Sequence, residues 1–322
     1  MSISASLSDG AVFDRIAIIG FGNLGSSIAR AVRKFDAVTT VVASDTDVSV
    51  LDRARELELA DAYVADPAKA VANADVVVIC TPVSTYASII RTIAPHLAPG
   101  AVVTDVGSVK QAVIRAVSPY IPGAVTLVPG HPIAGSEKSG PDAGSGDLFE
   151  GRYWILTPES GVDPDAVARI TMLWVRCGAI VETMAADYHD KVLAVTSHLP
   201  HLIAYTIVGT AFDLEGQEQR DVIRFSAGGF RDFTRLAGSS PEMWRDVFLN
   251  NREAVLEALG RFTEDLTALQ KAIRGGDGEA LFDRFTSTRA IRRQIIDAGQ
   301  ETPLPDFGRA ATAAGNEPPD GD

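Results

Sequence analysis

Cysteine is almost absent from this chain: Cys80 and Cys177 stand far apart, each inside an apolar segment. Such a pair gives neither a disulfide framework nor a spaced set of metal ligands, so no metal is expected and the expected compartment is a reducing cytoplasm. Basic charge is short as well. Against 42 Asp and Glu there are only 29 Lys and Arg, a formal charge of −13. A nucleic-acid binder needs a basic face to neutralise phosphates, so that class is set aside. Long hydrophobic runs are missing too: no apolar stretch reaches the roughly 18 residues of a spanning helix, and no membrane partner is expected. The opening residues, MSISASLSDGAVFD, lack the basic and apolar regions of a signal peptide. What is present is a hydrophobic content of 46% over 322 residues, enough for a sizeable core. The last stretch, ETPLPDFGRAATAAGNEPPDGD, is rich in Pro, Gly, Ala and Asp and is not expected to fold.

Between the tails, at 1–14 and 299–322, the pattern divides in two. From 15 to 185 short β-branched runs alternate with helical stretches: RIAIIG, TTVVAS, ADVVVICTP, AVVTDVGS, AVTLVPG, RYWILTP and GAIVETM. Continuous Val and Ile runs suit strands covered on both faces, so this half is predicted to be a doubly wound parallel α/β domain. From 186 to 298 the apolar residues recur three and four apart, as in MWRDVFLNNREAVLEALGRFTEDLTALQKAI, and this half is predicted to be all helix. SSPE at 239–242 supplies a start signal, with Ser240 as N-cap, Pro241 at the first helical position and Glu242 in the first turn.

In IAIIGFGNLGSSIA, Gly20, Gly22 and Gly25 have the GxGxxG spacing between a strand and a helix. Gly20 permits the tight turn, Gly22 lets the backbone approach a pyrophosphate, and Gly25 lets helix pack on strand; the helix N-terminus offers free N–H groups. Asn23 and Leu24 belong to the same loop. Asp45 ends the second strand twenty residues after Gly25. A carboxylate there accepts from the adenosine ribose hydroxyls and repels a 2′-phosphate, which favours NAD over NADP. In such sheets ligands bind beyond the carboxyl ends of the strands, where the sequence places Thr81, Pro82, Asp105, Gly107, Ser108 and, after AVTLV, His131. Ser108 and His131 should therefore face one crevice. An imidazole with an ordinary pKa near 6.5 is suited to take an alcohol proton as hydride leaves the same carbon, and Ser108 would bond either the hydroxyl or the imidazole.

GFGNLG, VGSVK, GHPIAGSEKSG, SHLPH and GGFRDFTRLA occur in an order that resembles the prephenate and arogenate (cyclohexadienyl) dehydrogenases over residues 15–298. The resemblance implies NAD-dependent oxidative decarboxylation of prephenate to 4-hydroxyphenylpyruvate, or of arogenate to tyrosine. It also implies a Rossmann-type domain followed by an all-α domain that forms a homodimer. Position by position it makes His131 the base for the ring C4 hydroxyl and Ser108 the residue that orients both. It puts Glu137 near the site, Arg235 on the ring carboxylate with Asp232 beside it, and Ser197 and His201 against cofactor and substrate side chain. Trp244 resembles an aromatic that closes the site across the dimer.

The chemistry agrees from the residues' side: a dicarboxylate bound by a chain of charge −13 calls for a local guanidinium fork, which Arg235 supplies. His201 could donate to a keto acid's carboxylate, which tilts the reading toward prephenate over arogenate. Ser197 and His201, four apart, would share a helix face, and Pro200 should kink or start the helix there. His96, His189 and His198 read as surface or packing residues. Lys110 reads as a solvated lysine or an attractor of the dianion, Trp154 and Trp174 as core, and Cys80 as a small buried hydrophobe. Two other functions fit the same architecture, a β-hydroxyacid dehydrogenase and a non-catalytic NAD-binding sensor.

Overall fold

The computed structural model describes residues 10–135, 138–213, 220–222 and 224–297. Glu137 and the two tails' outer residues, 1–9 and 298–322, lie outside them. The chain divides into two compact units between Ala258 and Leu259.

The first unit opens with β1 (Phe13–Ile19), α1 (Asn23–Lys34), β2 (Val38–Ser44), α2 (Val48–Glu56), β3 (Ala62–Tyr63), α3 (Pro67–Ala70), β4 (Val76–Ile79), α4 (Tyr86–Ile93), β5 (Val102–Asp105), α5 (Lys110–Val117) and β6 (Thr126–Leu127). The six strands make one sheet in the order β3-β2-β1-β4-β5-β6, every neighbour parallel. The apolar runs cover both faces. Ile16, Ile18, Val76 and Val78 point into one core cluster, while their neighbours Ala17, Ile19, Val77 and Ile79 point into another. The order reverses between β1 and β4, so the loops after those two strands open the crevice where such sheets hold ligands.

The later strands depart from the predicted parallel sheet. β7 (Gly130–Pro132), β8 (Tyr153–Leu156) and β9 (Ile180–Thr183) form a separate three-stranded sheet, with β7 antiparallel to β8 and β9 parallel to it. The chain leaves the first sheet after only two residues of β6, because Gly130 turns its N–H onto the Asp105 carboxylate at 3.0 Å instead of continuing the ladder. His131, expected on a loop, thus lies in a strand opposite Ile155. α6 (Pro164–Arg176) covers this sheet, and Trp154 and Trp174 stack in the core with ring centroids 3.7 Å apart and no exposure.

Beyond β9 the first unit is helical: α7 (Ala186–Leu193), a π-helical turn (Ala194–His198), α8 (Leu199–Phe212), α9 (Gly228–Thr234) and α10 (Pro241–Asn250). From Ala186 to Phe212 the helix is unbroken for 27 residues, and its most apolar window has mean hydropathy 1.4 with 28% buried. By length and composition alone it could cross a membrane, although Thr, Ser and His interrupt its apolar run. Pro200 sits inside the helix; lacking an N–H for the Thr196 carbonyl, it follows a turn widened to π geometry. Ser240 caps α10 by accepting from the Met243 N–H, and Pro241 takes the first position, as predicted. Within the helical pattern at 243–273 the chain breaks at Asn251, whose backbone leaves helical geometry before α11 (Arg252–Gly275).

The second unit holds the rest of α11 and α12 (Gly278–Asp297), joined by a turn at Gly276 and tied by an Arg284–Asp265 ion pair of 2.7 Å. Its apolar side chains, among them Phe282, Phe285, Ile291 and Ile295, are exposed within the single chain. In the first unit, replacing Trp174 with Ala should remove the stacked partner of Trp154 and leave a cavity. We expect a loss of about 3–5 kcal/mol in chemical denaturation, and a loss under about 1 kcal/mol would contradict this placing of the core.

Candidate active site

The glycine turn after β1 is shaped for a dinucleotide. Gly20 has φ +92°, and a Cβ at Gly25 would lie 2.1 Å from the Gly20 carbonyl oxygen, so both positions need glycine. A Cβ at Gly22 would meet nothing within 4 Å, and Gly22, as N-cap of α1, supplies no side-chain cap. The approach to the head of α1 beside Gly22 is thus open, which fits a pyrophosphate. Asp45, half-buried after β2, accepts from the Phe21 N–H at 2.8 Å and from the Asp47 N–H at 3.0 Å. Its carboxylate both holds the glycine turn and retains lone pairs for ribose hydroxyls. Asn23 donates to the Lys138 carbonyl at 2.9 Å, and Leu24 is half-buried beside it. Thr81 and the exposed Pro82 follow β4, with the Thr81 and Thr85 hydroxyls 2.8 Å apart. The residues present therefore fit NAD.

Next to this crevice stands a line of three side chains. Asp190 Oδ1 is 2.8 Å from His189 Nδ1, and His189 Nε2 is 2.9 Å from His131 Nδ1. An ionised carboxylate only accepts, so His189 carries its proton on Nδ1; its Nε2 then accepts from the His131 Nδ1–H. What remains on His131 is the Nε2 lone pair, which has no hydrogen-bond partner among the described residues. Burial, followed by His189, Lys110 and His198, holds His131 well below its ordinary pKa, so the ring is neutral near pH 7 and able to accept a proton. Ser108 is half-buried after β5, and no hydrogen bond joins it to His131.

The line is fixed from behind. Asp190 also accepts from the Lys110 N–H at 2.8 Å and the Gln111 N–H at 3.0 Å, so it caps the N-terminus of α5 from eighty residues away. Lys110, read from the sequence as solvated or facing substrate, is fully buried. Its ammonium donates to Asp105 Oδ2 at 2.6 Å and to the Gly130 carbonyl, while Asp105 Oδ1 takes the Gly130 N–H. A carboxylate at the end of β5 and a lysine five residues on thus clamp the backbone beside His131.

In the helical segment the aromatic rings gather around Trp244. Its ring stacks on His201 with centroids 3.7 Å apart and takes the edge of His198 at 5.9 Å. Trp244 is buried, with Val109, Ala112 and Val247 in its cluster. His201 Nδ1 donates to the Ser197 carbonyl at 2.9 Å, which leaves Nε2 of the neutral ring as an acceptor; donation to a keto acid's carboxylate from there requires a protonated ring. Arg235, exposed at the end of α9, lies close enough to His201 to oppose that protonation, and burial does so more strongly. Asp232 is exposed on α9, 4.0 Å from Arg231. His198 is buried: its Nδ1 lies 3.1 Å from Asn251 Nδ2, which also donates to the Asp190 carbonyl at 2.8 Å. Only His96 of the five histidines stands apart, exposed after α4. Sequence reasoning missed His189, Asp190 and Asn251. A His-Asp pair opening an apolar helix was a visible signal, but nothing local pointed Asn251 back to it.

A glycine turn open to a pyrophosphate, a carboxylate after β2 and a buried imidazole with one unengaged nitrogen are an arrangement that suits a nicotinamide-dependent dehydrogenase. A family profile described as "Prephenate dehydrogenase, nucleotide-binding domain" matches residues 28–183, and one described as "Prephenate dehydrogenase, dimerization domain" matches 185–287. A cyclohexadienyl dehydrogenase of Zymomonas mobilis is 41% identical over 87% of this chain and 96% of its own length. A prephenate dehydrogenase of Bacillus subtilis is 33% identical over 91% and 79%. Among solved structures, a prephenate dehydrogenase of Aquifex aeolicus in complex with hydroxyphenyl propionate and NAD+ superposes with TM-score 0.80 at 31% identity, covering 91% of this chain and 99% of that one. A Synechocystis arogenate dehydrogenase does so with TM-score 0.74 at 26% identity, covering 87% and 99%. The chain belongs to the prephenate dehydrogenase family, and it is an NAD-dependent oxidoreductase.

The buried histidines make folding sensitive to acid. Burial lowers the pKa of His131 and His189, and takes His198 from 6.5 to about 4. As pH falls below 6.5 the unfolded chain gains protons that the folded chain refuses, so the stability present above that pH is progressively lost, for His198 down to about 4. Each such group contributes a slope of about 1.4 kcal/mol per pH unit. Tm should fall between pH 7.5 and about 5, and less steeply in His198→Asn, which keeps an acceptor for Asn251. A flat Tm over that range would contradict the burial of these rings.

Proposed function

We propose that the enzyme oxidises the ring C4 hydroxyl of prephenate with NAD, using His131 as the base, and releases CO₂ to give 4-hydroxyphenylpyruvate. The observation that carries this reading is the lone pair left on His131 Nε2 once Asp190 has fixed His189 and His189 has fixed His131. NAD, when bound, supplies the hydride acceptor. His131 accepts the hydroxyl proton at Nε2, and Ser108, after β5, orients the hydroxyl. Arg235 holds the ring carboxylate as a bidentate partner, with Asp232 and Glu137 near it. With C4 a carbonyl, that carboxylate is vinylogous to a β-keto acid and leaves as the ring becomes aromatic. Ser197 and Trp244 shape the cleft around the substrate side chain and the cofactor. Gly20, Gly22, Asn23, Leu24 and Gly25 receive the pyrophosphate, Asp45 the ribose, and Thr81 and Pro82 border the cofactor.

One observation favours a second substrate. With Nδ1 engaged by Ser197, neutral His201 offers an acceptor, which suits the ammonium of arogenate better than a second carboxylate. Both substrates share the C4 hydroxyl and the ring carboxylate, so the same base and guanidinium serve either. The substrate and helical part, 186–298, is proposed to pair with a second copy, consistent with the family description of its match and with the exposed apolar residues on α12. The proposed compartment is the cytoplasm.

The reading is tested by following NADH formation with prephenate or arogenate and with NAD or NADP. Turnover with prephenate and NAD is expected; turnover with arogenate alone would overturn the substrate reading and keep the mechanism. His131→Asn should lower kcat by about 10²- to 10⁴-fold with little change in NAD affinity, and unchanged turnover would remove His131 as the base.

A further inference from the structure

A buried base has to dispose of the charge it acquires. Around His131 the fold places Lys110 from the start of α5, His198 from the π turn and His189 from α7, while Asp105 on β5 is already engaged by Lys110 and Asn251 is neutral. Every cationic or ionisable neighbour in direct reach of the His131 ring therefore opposes an imidazolium there. His189 is different, because Asp190 lies 2.8 Å from its far nitrogen while its near nitrogen faces His131 at 2.9 Å. The Asp190 carboxylate is itself held in place by two backbone N–H groups at the head of α5.

Resting on the reading of His131 as the base, we propose that His189 and Asp190 form a relay that receives the proton His131 cannot keep. The substrate O–H bond breaks as an N–H bond forms at His131 Nε2. The N–H at His131 Nδ1 then breaks as one forms at His189 Nε2. His131 ends neutral in its other tautomer, and His189 ends as an imidazolium whose Nδ1–H remains on Asp190. As CO₂ leaves and the ring becomes aromatic, the C4 oxygen becomes a phenolate, the His131 Nε2–H bond breaks as the phenol O–H forms, and Nδ1 recovers its proton from His189. One turnover thus releases no net proton, and it needs no reactant beyond the substrate and the hydride acceptor. Burial, His189, Lys110 and His198 all hold His131 down with nothing opposing them; burial and Lys110 lower His189 as well, but there the Asp190 bond and charge oppose them. His189 is a positioning residue for His131 as well, so the test must separate holding the ring from taking its proton.

Glutamine at position 189 carries an amide oxygen that can accept from His131 Nδ1 and hold its tautomer, but it cannot take a proton. Under the relay, His189→Gln and His189→Ala both lower kcat, by about tenfold or more, with KM for NAD and for the substrate unchanged. Near-normal kcat in His189→Gln beside an impaired His189→Ala would overturn the relay and leave only an orienting role. If His131→Asn keeps full turnover, the reading of the base falls instead, so the two failures are distinct. Should His189→Gln melt within the assay range, Asp190→Asn takes its place by removing the counter-charge while keeping the shape. A fall in its kcat supports the relay, and an unchanged kcat overturns it.

Discussion

The Asp190 carboxylate is the point on which the cleft depends. It closes the head of α5, fixes the tautomer of His189, and through it the tautomer of His131. A helix terminus must satisfy its first N–H groups, and the N-cap residue of α5, Val109, has no side chain able to do so. The acceptor comes instead from α7, so the helical segment is bonded to α5 of the nucleotide-binding half, beside the proposed base. The same carboxylate caps a helix and holds the imidazole that bonds the proposed base.

A second buried charge does comparable work one layer below. Asp105 and Lys110 are both almost wholly buried, and burying two charges is costly unless their remaining hydrogen-bonding capacity is met. Here Asp105 also takes the N–H groups of Gly107 and Gly130, and Lys110 also reaches the Gly130 carbonyl. Both backbone groups of Gly130 are thereby used, and this pulls the chain out of the parallel sheet and sets β7 at its angle. His131 is presented from a strand with two fixed neighbours. A free loop would leave the ring's position to chance, and a proton acceptor must sit within hydrogen-bond reach of its substrate.

Most of the cofactor half was legible in the sequence. The glycine spacing, the acid after β2 and the Val and Ile runs each follow from local geometry, and the sheet order puts them where they were expected. The separate three-stranded sheet was not legible, because YWIL and AIVET have the same apolar character in either sheet. Asn251 was hidden by periodicity: its neighbours fit a helix on both sides, and only its bonds to Asp190 and His198 explain the break. Lys110 and His189 were misjudged for one reason. A lysine at a helix start is solvated by default and a helical histidine merely packs, but here Asp105, five residues before Lys110, takes its ammonium, and Asp190 takes both the Lys110 N–H, from eighty residues on, and the ring of its neighbour His189.

Because the account turns on which ring nitrogens carry protons, nitrogen-15 NMR of histidine-labelled protein near neutral pH tests it most directly. The expected spectrum has His131 and His189 both protonated at Nδ1, with an unprotonated Nε2 on His131. His131 protonated at Nε2 in the resting enzyme would contradict it, since the nitrogen assigned as the base would then have no lone pair to offer.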